Sequence, residues 1–266
     1  MLTAALFLIV TSKVVLGQDD RRPVKEQGIP LDMAEISVDD RYDGCAAEMK
    51  DLVDKKYLTE EIRANTSGFG KVWENSTNNI PGPKDNLQKN HLIAISVYTG
   101  VIVYRKFNED VRTGKHEYKN KTFQWYSLHF WLTKAIQTLK KMQQECKSTF
   151  SGTNVKYHVA KNTEIRFGSF ASSSLYQNVT TNFGNESCFE IETCHGVDVA
   201  NYSQFPNQKE VLIPPYETFK VTDIRTGQKD DWCKTVFELK STGIKSNLNC
   251  VRWHQSSPRN IRCNYL

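Results

Sequence analysis

The feature that most constrains this chain is a change of hydrophobic period at Cys146. Before it, apolar residues recur at helical spacing. The stretch "YDGCAAEMKDLVDKKYL" sets Cys45, Met49 and Leu52 on one face. "DNLQKNHLIAISVYTG" and "VIVYRKFNEDVRTG" predict two helices divided at Gly100. "FQWYSLHFWLTKAIQTLKKMQQEC" predicts a long helix whose stripe of Trp125, His129, Leu132 and Ile136 is bound for the core. After Cys146 the period becomes two. "VKYHV", "IRFGSFASSSL", "CFEIETC", "EVLIPP", "YETFKVTDI" and "WCKTVFELKST" read as strands parted by Gly, Asn and Pro. Helices first and strands second imply an α+β protein, not an alternating parallel-sheet one. We place a loose leader at 18–38 and one domain at 39–266, with its helical part at 39–145 and its β-core at 146–266.

Within the strand half, "FPNQKEVLIPPYETF" stands out. One acid, Glu210, opens a short apolar run that Pro214 and Pro215 close, because proline cannot donate into a central ladder. Glu210 is thus expected at the mouth of a buried strand. An amide, Gln208, occupies the position two residues earlier.

Charge and cysteines bound the compartment and the partners. Lys and Arg number 35 against 30 Asp and Glu, a net charge of +5 spread without a basic run. That pattern tolerates anionic ligands and gives no nucleic-acid footprint. The first residues, "MLTAALFLIVTSKVVLGQDD", carry an apolar core at 2–10 that is too short to span a bilayer. Val15 and Gly17 suit a cleavage site before Gln18, so 1–17 reads as a signal peptide, with a buried N-terminal strand as the alternative. Six N-x-S/T sequons begin at Asn65, Asn75, Asn120, Asn178, Asn185 and Asn201. Seven cysteines without a C-x-x-C pair favour disulfides over zinc or any other metal site. The ending "SSPRNIRCNYL" offers no apolar tail, so we expect a secreted protein without a membrane anchor.

Five segments in order, "YDGC", "LHFWLTKAIQ", "IRFGSFASSSL", "ETCHGV" and "EVLIPPYETFKV", resemble the vertebrate ecto-ADP-ribosyltransferases of the arginine type. The resemblance runs from about Asp39 to about Cys250. It implies an α+β fold with a helical part packed on a mixed β-core that clamps NAD, the substrate. It also implies disulfides Cys45–Cys250 and Cys146–Cys194; for the rest, Cys233–Cys263 is the expected third bridge. The family signature is an Arg on the first core strand, a Ser in an S-x-S stretch, and Glu-x-Glu before the V-L-I-P strand. Carried over, the Ser is Ser172 and the second Glu is Glu210. The Arg position holds Ser151, in "FSGT", and the first Glu is replaced by Gln208. Gly152, Tyr98 and Ser169 are the expected cofactor-side residues, although Tyr98 equally fits the core.

These substitutions have chemical consequences. Cleaving the nicotinamide–ribose bond develops positive charge on the sugar, as glycoside cleavage does. One carboxylate beside that charge, Glu210, is the minimum, with Ser172 to orient it. Gln208 cannot bring the charge that engages a guanidinium bidentately, so transfer to arginine should weaken more than transfer to water. Ser151 lacks the forked cation that grips phosphates. Arg166 and Lys156 are the nearby cations that could substitute. Phe205 and Tyr202, before Glu210, either present an extracellular protein acceptor or simply pack the loop. His158 and His195 read as plain surface or strand residues, not as bases. Sugars on Asn178 and Asn201 would crowd the cleft rim. Two functions follow: an NAD-using transferase or glycohydrolase, or a glycoprotein that keeps the fold as a binding module.

Overall fold

A computed structural model describes residues 28–227 and 232–250 of the 266-residue chain. The expected signal peptide at 1–17, the leader up to residue 27, Cys263 and the C-terminal tail lie outside the described residues.

Among the described residues, seven α-helices build the first half. α1 (Ala46–Leu52) runs through a π turn at Val53–Tyr57 into α2 (Leu58–Ala64). Asn65, in the left-handed region at φ 49°, ends α2. α3 (Phe69–Asn79), α4 (Lys89–Thr99), α5 (Tyr104–Thr113), α6 (Lys115–Lys119) and α7 (Tyr126–Lys140) follow. α4 and α5 divide at Gly100 as the sequence predicts. α5 is amphipathic: Phe107 and Val111 are buried while Arg105 and Lys106 face water. α7 begins only at Tyr126, and its predicted stripe is wholly in the core, with Trp125, His129 and Leu132 each at 0 % exposure. His129 is fixed there by Tyr42, whose hydroxyl lies 2.7 Å from Nδ1, and by the Val38 carbonyl 3.0 Å from Nε2.

The strands are β1 (Ile29–Pro30), β2 (Lys147–Thr153), β3 (Tyr157–His158), β4 (Glu164–Arg166), β5 (Ala171–Ser174), β6 (Ser187–Thr193), β7 (Val197–Asp198), β8 (Glu210–Ile213), β9 (Glu217–Thr226) and β10 (Thr235–Ile244). A short helix, α8 (Gln177–Thr180), interrupts them. Eight strands make one mixed sheet in the order β4-β9-β10-β6-β2-β5-β8-β7, in which β6 and β10 run parallel. The α+β architecture is therefore present, with the helical half against one sheet. β2, which carries "FSGT", shows no period-two apolar pattern; it becomes a strand because β6 pairs along its whole length.

Two expectations change. Residues 28–38 are not loose. Ile29 and Pro30 pair with Tyr157 and His158, and Leu31 and Val38 are buried. Their backbone also receives Arg166, which donates to the carbonyls of Met33 and Ala34 and pairs with Asp39 at 2.6 Å. Asp39 further accepts the amides of Asn247 and Leu248, so the leader, β4 and the C-terminal segment are sewn to one buried ion pair. The second change concerns cysteines. Cys45–Cys250 and Cys146–Cys194 form, but Cys233 bonds Cys188 rather than Cys263. The parallel β6–β10 register sets Val236 opposite Cys188, which brings Cys233, three residues earlier, to the same strand end.

Candidate active site

The site grows from one antiparallel pair. β5 and β8 align Ser174 with Glu210 and Ser172 with Leu212. Directly opposed residues share a face and so do residues two apart, so Ser172 and Glu210 lie diagonally on the same side. Ser172 Oγ donates to Glu210 Oε1 at 2.6 Å. The 38 residues between them make this a tertiary contact, supplied here by the β5–β8 pairing.

Three other elements close around the pair. The loop before β8 carries Ser203, whose hydroxyl is 3.5 Å from Glu210 Oε2. That loop is pinned to the end of α4: Gln204 Nε2 donates to the Ser96 carbonyl at 2.8 Å, and the Gln204 amide donates to Thr99 Oγ1 at 3.1 Å. A Cβ at Gly100 would stand 3.1 Å from Gln204 Nε2. From the same helix end, Tyr98 reaches beneath Ser172 with its oxygen 3.5 Å from Ser172 Oγ. From β2, Ser151 Oγ donates to the Ser172 carbonyl at 3.2 Å.

Burial sets the electrostatics. Glu210 is 3 % exposed. Removing it from water pushes its carboxyl up to about 7, against the opposing hydrogen bonds from Ser172 and Ser203. A carboxyl with that value changes charge at neutral pH, a property found disproportionately at working sites. Tyr98 is pushed well above the ordinary tyrosine range, chiefly by burial.

The structure distributes the sequence-predicted residues unevenly. Ser172, Glu210 and Ser151 converge. Gln208 ends a short 3₁₀ turn two residues from Glu210, half-buried, and its carbonyl accepts from Ser174 Oγ at 2.7 Å. Tyr98 is a core residue at 2 % exposure, so it supports Ser172 from behind and offers no face to a ligand. Gly152 is crowded by its own chain: a Cβ there would meet the Gly184 carbonyl at 2.6 Å. Ser169 is buried between β4 and β5 and takes no part in the Ser172–Glu210 hydrogen bonds. Arg166 is spent on Asp39 with 0 % exposure, which removes it as a stand-in for the missing cation. Lys156 is exposed beside β3, where its carbonyl accepts the Ile29 amide at 2.8 Å. His195 only donates its amide to Glu217. Ser203 and Gln204 escaped the sequence reading; the one signal for them was the stretch of polar residues immediately before Glu210.

The outer side of the Asn201–Ser203 loop faces a cavity of about 620 Å³ lined also by Ile80, Lys84 and Leu92. Tyr202 walls it, held by Asp85 at 2.7 Å, with Lys84 over its ring at 5.7 Å. Asn201 and Asn178 are exposed on the two segments that flank the β5–β8 pair.

Comparisons with known proteins identify the fold and the family. The family model "NAD:arginine ADP-ribosyltransferase" matches residues 31–246. An erythroblast NAD(P)(+)–arginine ADP-ribosyltransferase of Gallus gallus is 31 % identical over 94 % of this chain and 84 % of its own length. A GPI-linked NAD(P)(+)–arginine ADP-ribosyltransferase 1 of Oryctolagus cuniculus is 34 % identical over 86 % of this chain and 76 % of its own. Among solved structures, a variant of the eukaryotic mono-ADP-ribosyltransferase ART2.2 in complex with NADH superposes with a TM-score of 0.72. That match is 31 % identical and covers 84 % of this chain and 99 % of that one. By the extent of the match, the order of its motifs and the β5–β8 site, the chain belongs to the NAD:arginine ADP-ribosyltransferase family.

Proposed function

We propose that the chain binds NAD at the β5–β8 mouth and cleaves the nicotinamide–ribose bond, with water as its principal acceptor and arginine of an extracellular protein as the weaker one. The observation that carries this reading is the 2.6 Å hydrogen bond from Ser172 to a buried Glu210, in a chain of this family. The bond electrons leave with nicotinamide, which departs neutral, and the sugar carbon is left cationic. The ionised Glu210, itself buried, stabilises that cation. Ser172 and Ser203 hold the carboxylate in place. The acceptor then adds to the cationic carbon and releases a proton.

Two substitutions shape the product. Gln208 accepts a hydrogen bond without charge, so it orients an incoming guanidinium less strongly than a carboxylate would. Ser151 leaves the strand beside Ser172 without a fixed cation for the phosphates. We place the protein outside the cell, processed after residue 17 and bearing glycans on its sequons. The three disulfides among the described residues and the ecto-enzyme relatives support that placement.

The test uses a fluorogenic NAD analogue with and without agmatine. The expected result is hydrolysis exceeding agmatine modification, with both lost in Glu210→Gln by about a hundredfold or more. Agmatine modification outrunning hydrolysis would overturn water as the main acceptor. Absence of turnover together with absence of NAD binding in calorimetry would leave the binding-module reading, which Ser151 favours.

A further inference from the structure

We infer that Tyr98, steadied by Asn108, is a positioning residue that accepts the hydrogen bond of the Ser172 hydroxyl whenever Glu210 is protonated, and so sets how readily Glu210 ionises. The inference rests on the reading of Glu210 as the working carboxylate, but its test needs no turnover.

The argument is a count of protons. Ser172 owns one hydroxyl proton and can direct it to a single acceptor. Two oxygens are within reach: Glu210 Oε1 at 2.6 Å and the Tyr98 oxygen at 3.5 Å. Tyr98 has committed its own proton to the Phe170 carbonyl at 2.9 Å. Asn108 Nδ2 donates into the Tyr98 oxygen at 3.0 Å. Towards Ser172, Tyr98 can therefore only accept.

Two arrangements follow. With Glu210 ionised, the Ser172 proton belongs to the carboxylate. When protonated, Glu210 takes its proton on Oε1, where Ser172 Oγ stands 2.6 Å away as acceptor, rather than on Oε2, where Ser203 Oγ is 3.5 Å away. Ser172 must then turn its own proton elsewhere, and the Tyr98 oxygen receives it. No proton enters or leaves this chain of groups apart from the one on Glu210. Tyr98 thus stabilises only the protonated arrangement.

The position of Tyr98 is enforced from several sides. Its ring meets Phe107 and Phe170 at centroid distances of 6.1 and 6.0 Å. It is fully inside, so no bulk water competes for its oxygen. The groups that bear on the charge of Glu210 are Ser172 on β5 and Ser203 on the preceding loop. Tyr98 on α4 feels the Glu210 charge directly, and Tyr104 on α5 is the further titratable group facing Tyr98.

The experiment is a ¹³C NMR titration of the full chain labelled at glutamate carboxyls, with the Glu210 signal assigned by its loss in Glu210→Gln. Wild type should titrate near neutrality. Tyr98→Phe should lower that midpoint by roughly half to one pH unit, the effect of one hydrogen bond made in one protonation state. Phe107→Leu, which disturbs the same packing without touching a proton, should leave it in place. Replacing Tyr98 by a ring-fluorinated tyrosine keeps the shape and weakens the oxygen as an acceptor. It should also lower the midpoint, and it serves if Tyr98→Phe fails to fold. In Ser172→Ala, adding Tyr98→Phe should shift nothing further. An unchanged or raised midpoint in Tyr98→Phe would overturn the inference, as would an equal shift in Phe107→Leu. If Tyr98→Phe behaves as expected and NAD turnover is nonetheless absent, the proton arrangement stands and the catalytic reading falls.

Discussion

Seven residues apart, on either side of the Pro214–Pro215 turn, two buried glutamates meet opposite treatment. Glu217 is surrounded by fixed donors: Thr193 Oγ1 at 2.6 Å, the Cys194 amide at 2.7 Å, the His195 amide at 3.0 Å and Ser241 Oγ at 2.7 Å. Glu210 has one close donor, Ser172 at 2.6 Å, and a distant one, Ser203 at 3.5 Å. Burial pushes both carboxyls upward, but four donors oppose it at Glu217. A carboxylate saturated by its own chain holds structure together. A buried carboxylate with unused accepting capacity is costly to the fold, and a ligand that brings positive charge offsets that cost.

The comparison is sharpest in stability against pH. The folded value of Glu210, about 7, lies above the ordinary 4.5, so the native state binds more protons between those values. Stability conferred by the protonated form is therefore whole below about 4.5 and is lost as pH rises through about 7. By this linkage, ionised Glu210 costs the fold on the order of 3 kcal/mol. Glu210→Gln should abolish NAD turnover while raising the Tm above pH 7 and flattening its pH dependence. Glu217→Gln should do the reverse: a Tm lower by roughly 10 °C, from donors left without a carboxylate, with turnover per folded molecule little changed. Thermal melts at pH 5 and 8 beside the fluorogenic assay check both. A Glu217→Gln protein that melts normally yet turns over no NAD would break the division between the two acids.

A cation restored beside the underserved acid is the next largest change. Ser151 adjoins Ser172, so Ser151→Arg should raise NAD turnover about tenfold to a hundredfold, the worth of one charge-assisted contact. An unchanged rate and unchanged NAD affinity would remove β2 from the phosphate-binding side. Gln208→Glu should act on the acceptor, raising agmatine modification relative to hydrolysis by about tenfold. A ratio that stays constant would show that the guanidinium does not approach residue 208. The smallest effect belongs to the outer rim. Asn201→Gln removes a glycan acceptor from the loop without altering a donor to either glutamate. It should improve modification of a protein acceptor a few-fold, with hydrolysis unchanged, as read by mass spectrometry and the fluorogenic assay.

Much of this was legible beforehand, and the parts that were not share a cause. The period change at Cys146 gave the two halves, because facing the core every 3.6 or every second residue is a local property. Pro214 and Pro215 marked the end of β8 through a missing amide proton, also local. Ser172 and Glu210 were found as members of motifs, and their contact was expected from the family resemblance, not from their spacing. The leader at 28–38 read as loose because "GIPLDMAEISV" carries no period; it is held by Arg166, more than 120 residues away in sequence. Arg166 itself read as a spare cation, since nothing near it in sequence announces Asp39. Cys188–Cys233 depended on a parallel β6–β10 register that no turn signals.

By itself the sequence determined an α+β chain, the family, and the presence of one acid where two are usual and of a serine where a cation is usual. Those follow from residue identity and short-range spacing. Tertiary structure alone decided that Glu210 is starved of donors while Glu217 is saturated, and that Tyr98 stands behind Ser172 as an acceptor. It also decided that Arg166 is unavailable. Each depends on which distant polar atoms share a dry interior, and in that interior every donor and acceptor must be counted against the partners that the fold places within about 3 Å.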